Sequence, residues 1–230
     1  MSPPAEHDPL PSARPLTPAC RPATQWLALP DGYRTPAFVH APRGACRGGV
    51  LYLHGIQSHP GWFTGSARHL ADAGWWVAQV TRRGSGANRR DRGHATSARQ
   101  LLDDVDAAIG WLADAAPGPV HLLGVSWGGK LLAAWAAERA GGSPATSLTL
   151  LAPGIHAKID VSVRFRLSAG ISAGLAPHKR FDIPLNDPEL FTDNPAMRAY
   201  LRADPYRLHR ATARFLFASH RLDRRLATAR

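Results

Sequence analysis

The sequence predicts an α/β chain built on a doubly wound, mostly parallel sheet. Three observations carry that prediction. Apolar extended runs recur with helical segments between them, the pattern of a parallel sheet covered on both faces. Gly49 to His54 (Gly-Val-Leu-Tyr-Leu-His) is apolar throughout rather than alternating, as in a strand buried on both sides. The segment Gly124-Val125-Ser126-Trp127-Gly128 joins an apolar run to an Ala-rich helical pattern. It reads as a sharp strand-to-helix turn with a serine at its apex.

The elements follow in order. Gln25 to Leu29 and Thr35 to His40 flank Pro30-Asp31-Gly32-Tyr33, two extended runs around a turn signal, hence a hairpin. The Gly49–His54 strand comes next, then a short helix over Ser66 to Ala73 and a strand over Trp75 to Thr81. Gln100 to Ala113 places Leu101, Leu102, Val105, Ala108, Ile109 and Leu112 at helical spacing. Val120 to Val125 is a strand, Lys130 to Arg139 a helix, and Ser147 to Leu151 a strand closed by Ala152-Pro153-Gly154. Ile155 to Tyr206 breaks the alternation, with turn signals at Asn186-Asp187-Pro188 and Asn194-Pro195. From Pro205 a helix is expected, proline being suited to a first turn. One face carries Leu208, Phe215, Leu222 and Leu226, and the other carries arginines.

These readings divide the chain into four. Residues 1–22 hold seven of the 20 prolines and read as a disordered leader. Residues 23–154 form the α/β core, 155–205 a lid inserted over the sheet edge, and 206–230 a basic amphipathic helix.

Composition narrows the classes. Hydrophobic residues make up 44% and charged residues 20% of 230 positions, ordinary for a globular protein. No apolar run approaches the ~20 residues of a membrane span, and the first residues lack a secretory signal pattern. A cytoplasmic location is expected. Cys20 and Cys46 are the only cysteines and read as free thiols. No residues show metal-ligand spacing, so neither metal nor cofactor is expected. The net charge of +11 is concentrated at one end: residues 198–230 carry nine arginines against two aspartates. That distribution is not a stripe across a groove and argues against nucleic acid.

Functional groups in such a sheet belong at the carboxyl ends of the strands. His54-Gly55, Arg82 to Gly86, Ser126 and Pro153 to His156 fall there. His59 reads as rim and His94 as surface loop. Asp103, Asp104 and Asp106 read mainly as a solvated helix face.

With these motifs together, the chain resembles the α/β-hydrolase superfamily, in its serine aminopeptidase-like and monoacylglycerol lipase (lysophospholipase)-like branch. The resemblance runs from about Gln25 to Leu226. It rests on Asp31-Gly32, His54-Gly55, Arg83-Gly84-Ser85-Gly86, Gly124-Val125-Ser126-Trp127-Gly128-Gly129 and Leu151-Ala152-Pro153. It implies Ser126 as nucleophile and the backbone N–H groups of Ile56 and Trp127 as oxyanion donors. It further implies Gln57, Trp127 and Ile155 as substrate contacts, with His54 shaping the oxyanion loop. The implied reaction is carboxylic ester hydrolysis through an acyl-enzyme, on a small-molecule or lipid ester such as a lysolipid or acylglycerol. Amide hydrolysis of the aminopeptidase type is the alternative.

The resemblance also implies an acid and a histidine that follow Ser126 in the chain. The strand leading to a Gly-x-x-Asp loop, and the later strand with its histidine, do not occur before Arg230. The expected sheet therefore lacks its C-terminal strands. Three readings stay open: a fragment, a substitute dyad in which His156 serves Ser126, and a non-catalytic homologue.

Overall fold

The computed structural model describes residues 22–139, 141–155 and 162–228. The expected Pro-rich leader lies outside these, apart from Pro22. Strands β1 (Ala23–Ala28) and β2 (Arg34–His40) form the predicted antiparallel hairpin, in register from Ala23↔Val39 to Ala28↔Arg34. Its turn is closed by Leu29 N–H donating to Tyr33 O at 2.7 Å and by Tyr33 N–H donating to the Asp31 carboxylate at 3.1 Å.

The main sheet is completed by β3 (Gly49–Leu53), β4 (Trp76–Val80), β5 (Val120–Val125) and β6 (Ala145–Leu151). Its order is β1-β2-β4-β3-β5-β6. β4, β3, β5 and β6 are parallel, and β2 meets β4 antiparallel. β3 sits centrally with all five residues buried, as its unbroken apolar run predicts.

Alternation along β3 splits its side chains between two layers. Leu51 and Leu53 join a core with Leu122 and with α2 (Ala98–Ala115), α3 (Trp127–Arg139) and the chain's last helix, through Leu102, Leu112, Leu132, Trp135, Phe215 and Leu222. Val50 and Tyr52 face the other way, packing with Val77 and with Ala67 and Ala71 of α1 (Thr64–Asp72). The sheet is thus covered on both faces, more thickly on the α2–α3 side. The α2 helix begins where its sequence allows: the Ser97 hydroxyl accepts from Gln100 N–H at 3.1 Å, while the Gln100 side chain accepts from Thr96 N–H at 2.8 Å.

Beyond β6 the segment expected as a lid insertion holds helix α4 (Val163–Leu175), strand β7 (Arg180–Asp182) and helix α5 (Pro195–Ala203). Asn194-Pro195 marks the start of α5 rather than a free turn. Asn194 Oδ1 caps Ala196 N–H at 2.9 Å, and Pro195 occupies the first turn. The α4 helix carries no single apolar stripe: Val163, Leu167 and Ile171 lie on an exposed face and Phe165, Ala169 and Ala173 on the opposite one, and Gly170 and Gly174 weaken its helical propensity.

The final helix is also shorter than expected. It does not start at Pro205. Leu208 N–H donates to Gln57 O at 2.9 Å and Ile183 N–H to His209 O at 2.8 Å. β8 (Arg210–Thr212) then pairs antiparallel with β7. Only after these extended pairings does α6 (Ala213–Thr228) begin. No helix among the described residues is long and apolar enough to cross a membrane.

Candidate active site

The turn between β5 and α3 is built as its sequence predicts. Ser126 has φ of +53°, a left-handed conformation for a non-glycine residue, at a cost of about 1–3 kcal/mol. Close packing imposes it. A Cβ on Gly128 would lie 2.6 Å from the carbonyl oxygens of Leu53 and His54, and one on Gly124 would lie 2.7 Å from Gly129 Cα. The β6 end locks the turn from outside: Ser126 N–H donates to Leu151 O at 2.9 Å, and Ser126 O accepts from Gly154 N–H at 2.9 Å, while Lys130 N–H of α3 donates to the same oxygen at 3.0 Å. Ser126 is left half-buried.

The His54-Gly55 loop lies directly against this turn. A Cβ on Gly55 would be 3.3 Å from Ser126 Cβ and 3.6 Å from its Oγ. His54 is 1% exposed. Its Nδ1 faces Gly55 O at 3.0 Å and its Nε2 accepts from Arg82 N–H at 3.1 Å. Nδ1 therefore carries the proton. Burial, with Arg82 nearby, holds its pKa well below the usual range, so the ring is neutral and built into the loop.

The expected substrate-contact side chains have other partners. The Trp127 indole is 4% exposed, stacks on Phe215 at 5.2 Å and donates Nε1–H to Ser219 Oγ at 2.8 Å. It fastens α3 to α6. Gln57 is 1% exposed. Its Oε1 accepts from Arg207 Nε and Nη2 at 3.1 and 2.9 Å, and its Nε2 donates to Asn186 at 3.4 Å. Ile56 is half-buried beside them. Ile155 is half-buried too, following the Gly154 that bonds the serine turn.

Two polar readings are corrected. His59 is not rim: its side chain is fully buried and its Nε2 donates to Asp204 Oδ2 at 3.0 Å. Asp103, Asp104 and Asp106 are not simply solvated. Asp104 pairs with Arg83 at 2.8 Å, while Asp103 and Asp106 both bond Arg139 across to α3. Their period along α2 suits different neighbours, and each acid finds an arginine. His94, half-buried, bonds Thr212 at 2.9 Å.

No described histidine bonds Ser126. His40, His54, His59, His94, His121 and His209 have the side-chain partners Gln79, Arg82, Asp204, Thr212, Ser147 and Asn186 or their backbones. His156 lies outside the described residues. Among the described residues no cluster of three or more His, Cys, Asp or Glu suits a metal ion.

Residues 44–229 match the family model described as "Serine aminopeptidase, S33". The chain belongs to this family. The S33-family chain is also 27% identical over 139 residues to Phospholipase YtpA of Bacillus subtilis (strain 168), covering 60% of this chain and 52% of that protein. The match thus spans about half of the curated relative's length. Among solved structures, the monoacylglycerol lipase of Paleococcus ferrophilus superposes with a TM-score of 0.74 at 20% identity, covering 85% of this chain and 72% of that one. A soluble variant of monoglyceride lipase from Saccharomyces cerevisiae, in complex with a substrate analogue, gives 0.76 at 22%, covering 90% and 69%. These likenesses establish the α/β-hydrolase fold for this S33-family chain.

Proposed function

We propose that this chain is a serine hydrolase that cleaves carboxylic esters through an acyl-enzyme on Ser126. The observation that carries the reading is the strained conformation of Ser126, at φ +53° between β5 and α3, with the Gly55 backbone packed against its side chain. A serine held this way at the carboxyl edge of a sheet presents its hydroxyl to a bound acyl group.

Ser126 Oγ attacks the acyl carbon, and its proton passes to a base. The resulting oxyanion is received by the N–H groups of Ile56 and Trp127. Collapse expels the alcohol, which takes up the proton, and water then releases the acid by the reverse relay. The candidate base within this chain is His156, which follows β6, the strand beside that of Ser126. Without a base, the oxyanion donors alone retain ~10³–10⁴-fold over water. The phospholipase relative and the monoacylglycerol lipase neighbours favour a lysolipid or acylglycerol substrate. The aminopeptidase description of the family favours amide hydrolysis as the second reading. A third, a non-catalytic homologue, draws support from the lack of a described histidine bonded to Ser126.

A fluorophosphonate probe separates these. Labelling of the chain that is lost in Ser126→Ala supports the nucleophile, and absence of labelling overturns it for this chain. Loss of labelling in His156→Ala identifies the base. Turnover of p-nitrophenyl butyrate against an aminoacyl p-nitroanilide decides ester from amide.

A further inference from the structure

Arg82, just past the end of β4, is a buried charge held without an acid. It is 6% exposed, and among the described residues no carboxylate pairs with it. Burial lowers its pKa to about 9, so it keeps its charge at neutral pH. A buried arginine normally takes an acid as partner. This one takes three successive backbone carbonyls. Nε donates to His54 O at 3.2 Å, and Nη2 donates to Gly55 O at 2.6 Å and Ile56 O at 3.0 Å. Its guanidinium carbon lies 4.5 Å from the Trp127 ring centre. Nη1 is buried with no partner among the described residues.

The middle contact has a consequence for the proposed site. Gly55 C=O and Ile56 N–H belong to one planar peptide unit, and the described peptides are all trans. In such a unit the two groups point in opposite directions. Whatever fixes the oxygen fixes the N–H. Arg82 Nη2 and His54 Nδ1 both hold the Gly55 oxygen, at 2.6 and 3.0 Å. A peptide following glycine otherwise turns easily, and a turned peptide would present its carbonyl where the N–H is needed.

The geometry points to Arg82 as the positioning residue of the oxyanion hole, holding the Gly55–Ile56 peptide so that the Ile56 N–H faces the developing oxyanion. The inference rests on the serine-hydrolase reading for its catalytic effect, but not for the orientation of the peptide. Arg82 touches no reacting atom. It acts through backbone, and its uncompensated charge adds a fixed positive field beneath both N–H donors.

The test uses Arg82→Met, which keeps the stem and removes the donors, and Arg82→Lys, which keeps the charge but loses the planar fork. Crystal structures of both variants report the Gly55–Ile56 orientation without reference to activity. With p-nitrophenyl butyrate, Arg82→Met is expected to lose about 10²–10³-fold in kcat, the effect of losing one oxyanion donor, with KM little changed. Arg82→Lys falls between. An alkyl trifluoromethyl ketone, which forms a tetrahedral adduct, loses affinity in parallel, while the matching methyl ketone does not. A general packing defect would weaken both ketones alike. If Arg82→Met fails to fold, Arg82→Lys decides alone. An unturned peptide in the folded variant overturns the inference, as does unchanged kcat with unchanged adduct affinity. If wild type and Ser126→Ala hydrolyse the ester equally, the serine-hydrolase reading has failed instead, and the peptide orientation alone decides the role of Arg82.

Discussion

The His59 imidazole donates through Nε2 to Asp204 Oδ2 at 3.0 Å, with both side chains fully buried and 145 positions apart in sequence. The bond ties the loop after β3 to the residue that ends α5. Gly61 N–H donates to His59 Nδ1 at 3.1 Å, so the tautomer is set, and Trp62 Nε1 donates to the same aspartate oxygen at 2.6 Å. Asp204→Ala strands both the His59 and Trp62 donors, at about 1–3 kcal/mol each. Asp204→Asn, which keeps an acceptor oxygen, is expected to lose less. Urea unfolding midpoints of the two variants check the order.

Acid should destabilise the fold in two steps. Burial pushes the His54 pKa down, and the Arg82 charge adds to this. The unfolded histidine takes a proton near pH ~6.5 while the folded one does not. The contribution of neutral His54 is therefore present above that pH and is lost as pH falls below it. Asp204 follows lower. Burial would raise its pKa, but the hydrogen bonds it accepts from His59, Trp62 and the Tyr206 N–H bring it below the usual value. Its contribution holds above pH ~3.9 and is lost as pH falls towards the folded pKa. Thermal midpoints measured from pH 8 to 3 should fall in these two ranges, and His54→Gln should reduce the upper fall, to which His40, His94 and His209, whose pKa values desolvation also lowers, contribute.

Gly128→Ala should be strongly destabilising. Its Cβ would meet two backbone oxygens at 2.6 Å, atoms that no side-chain rotation can move aside. Overpacking of this kind costs about 1–3 kcal/mol or more. Gly110→Ala in the exposed face of α2, with nothing within 4 Å, should instead be neutral or stabilising by up to about 1 kcal/mol. Calorimetric midpoints of the two variants should shift in opposite directions, or only the first should shift.

Arg83 offers a graded test of ion-pair burial. Its side chain is 3% exposed and bonds both Asp104, 15% exposed, and Asp31, 43% exposed. Asp31→Ala removes a screened ion pair worth about 0–1 kcal/mol, together with the acceptor for the Tyr33 N–H and the Gln100 side chain. Both carboxylates meet Arg83 through two nitrogens, but Asp104 is the more buried, so Asp104→Ala leaves a largely buried guanidinium and its ion-pair loss should be larger. Raising salt to 1 M should weaken the wild-type advantage over Asp31→Ala far more than that over Asp104→Ala.

The legible parts of this protein are those whose cause is local. The β3 run, the α2 periodicity and the Gly-x-Ser-x-Gly turn were readable because burial on two faces, burial on one stripe and a strained turn each leave a pattern within a few residues. The α4 helix was not, since apolar and small residues lie on both of its faces and Gly170 and Gly174 interrupt it. The start of α6 was not, because residues 208–212 are held extended by Gln57 and β7, partners that lie far away in the chain.

The same division runs through the candidate site. The turn at Ser126, its glycine neighbours and the strand ends around it are local patterns, because a strand-to-helix turn allows few residue types at those places. Folding is what brings Arg207 and α6 onto Gln57 and Trp127, pairs His59 with Asp204, and sets Arg82 against the loop beside the serine. Each of these depends on two distant segments meeting in a buried, poorly solvated space. There an unpaired polar group is costly, and the partner that satisfies it is chosen by folding rather than by proximity in sequence.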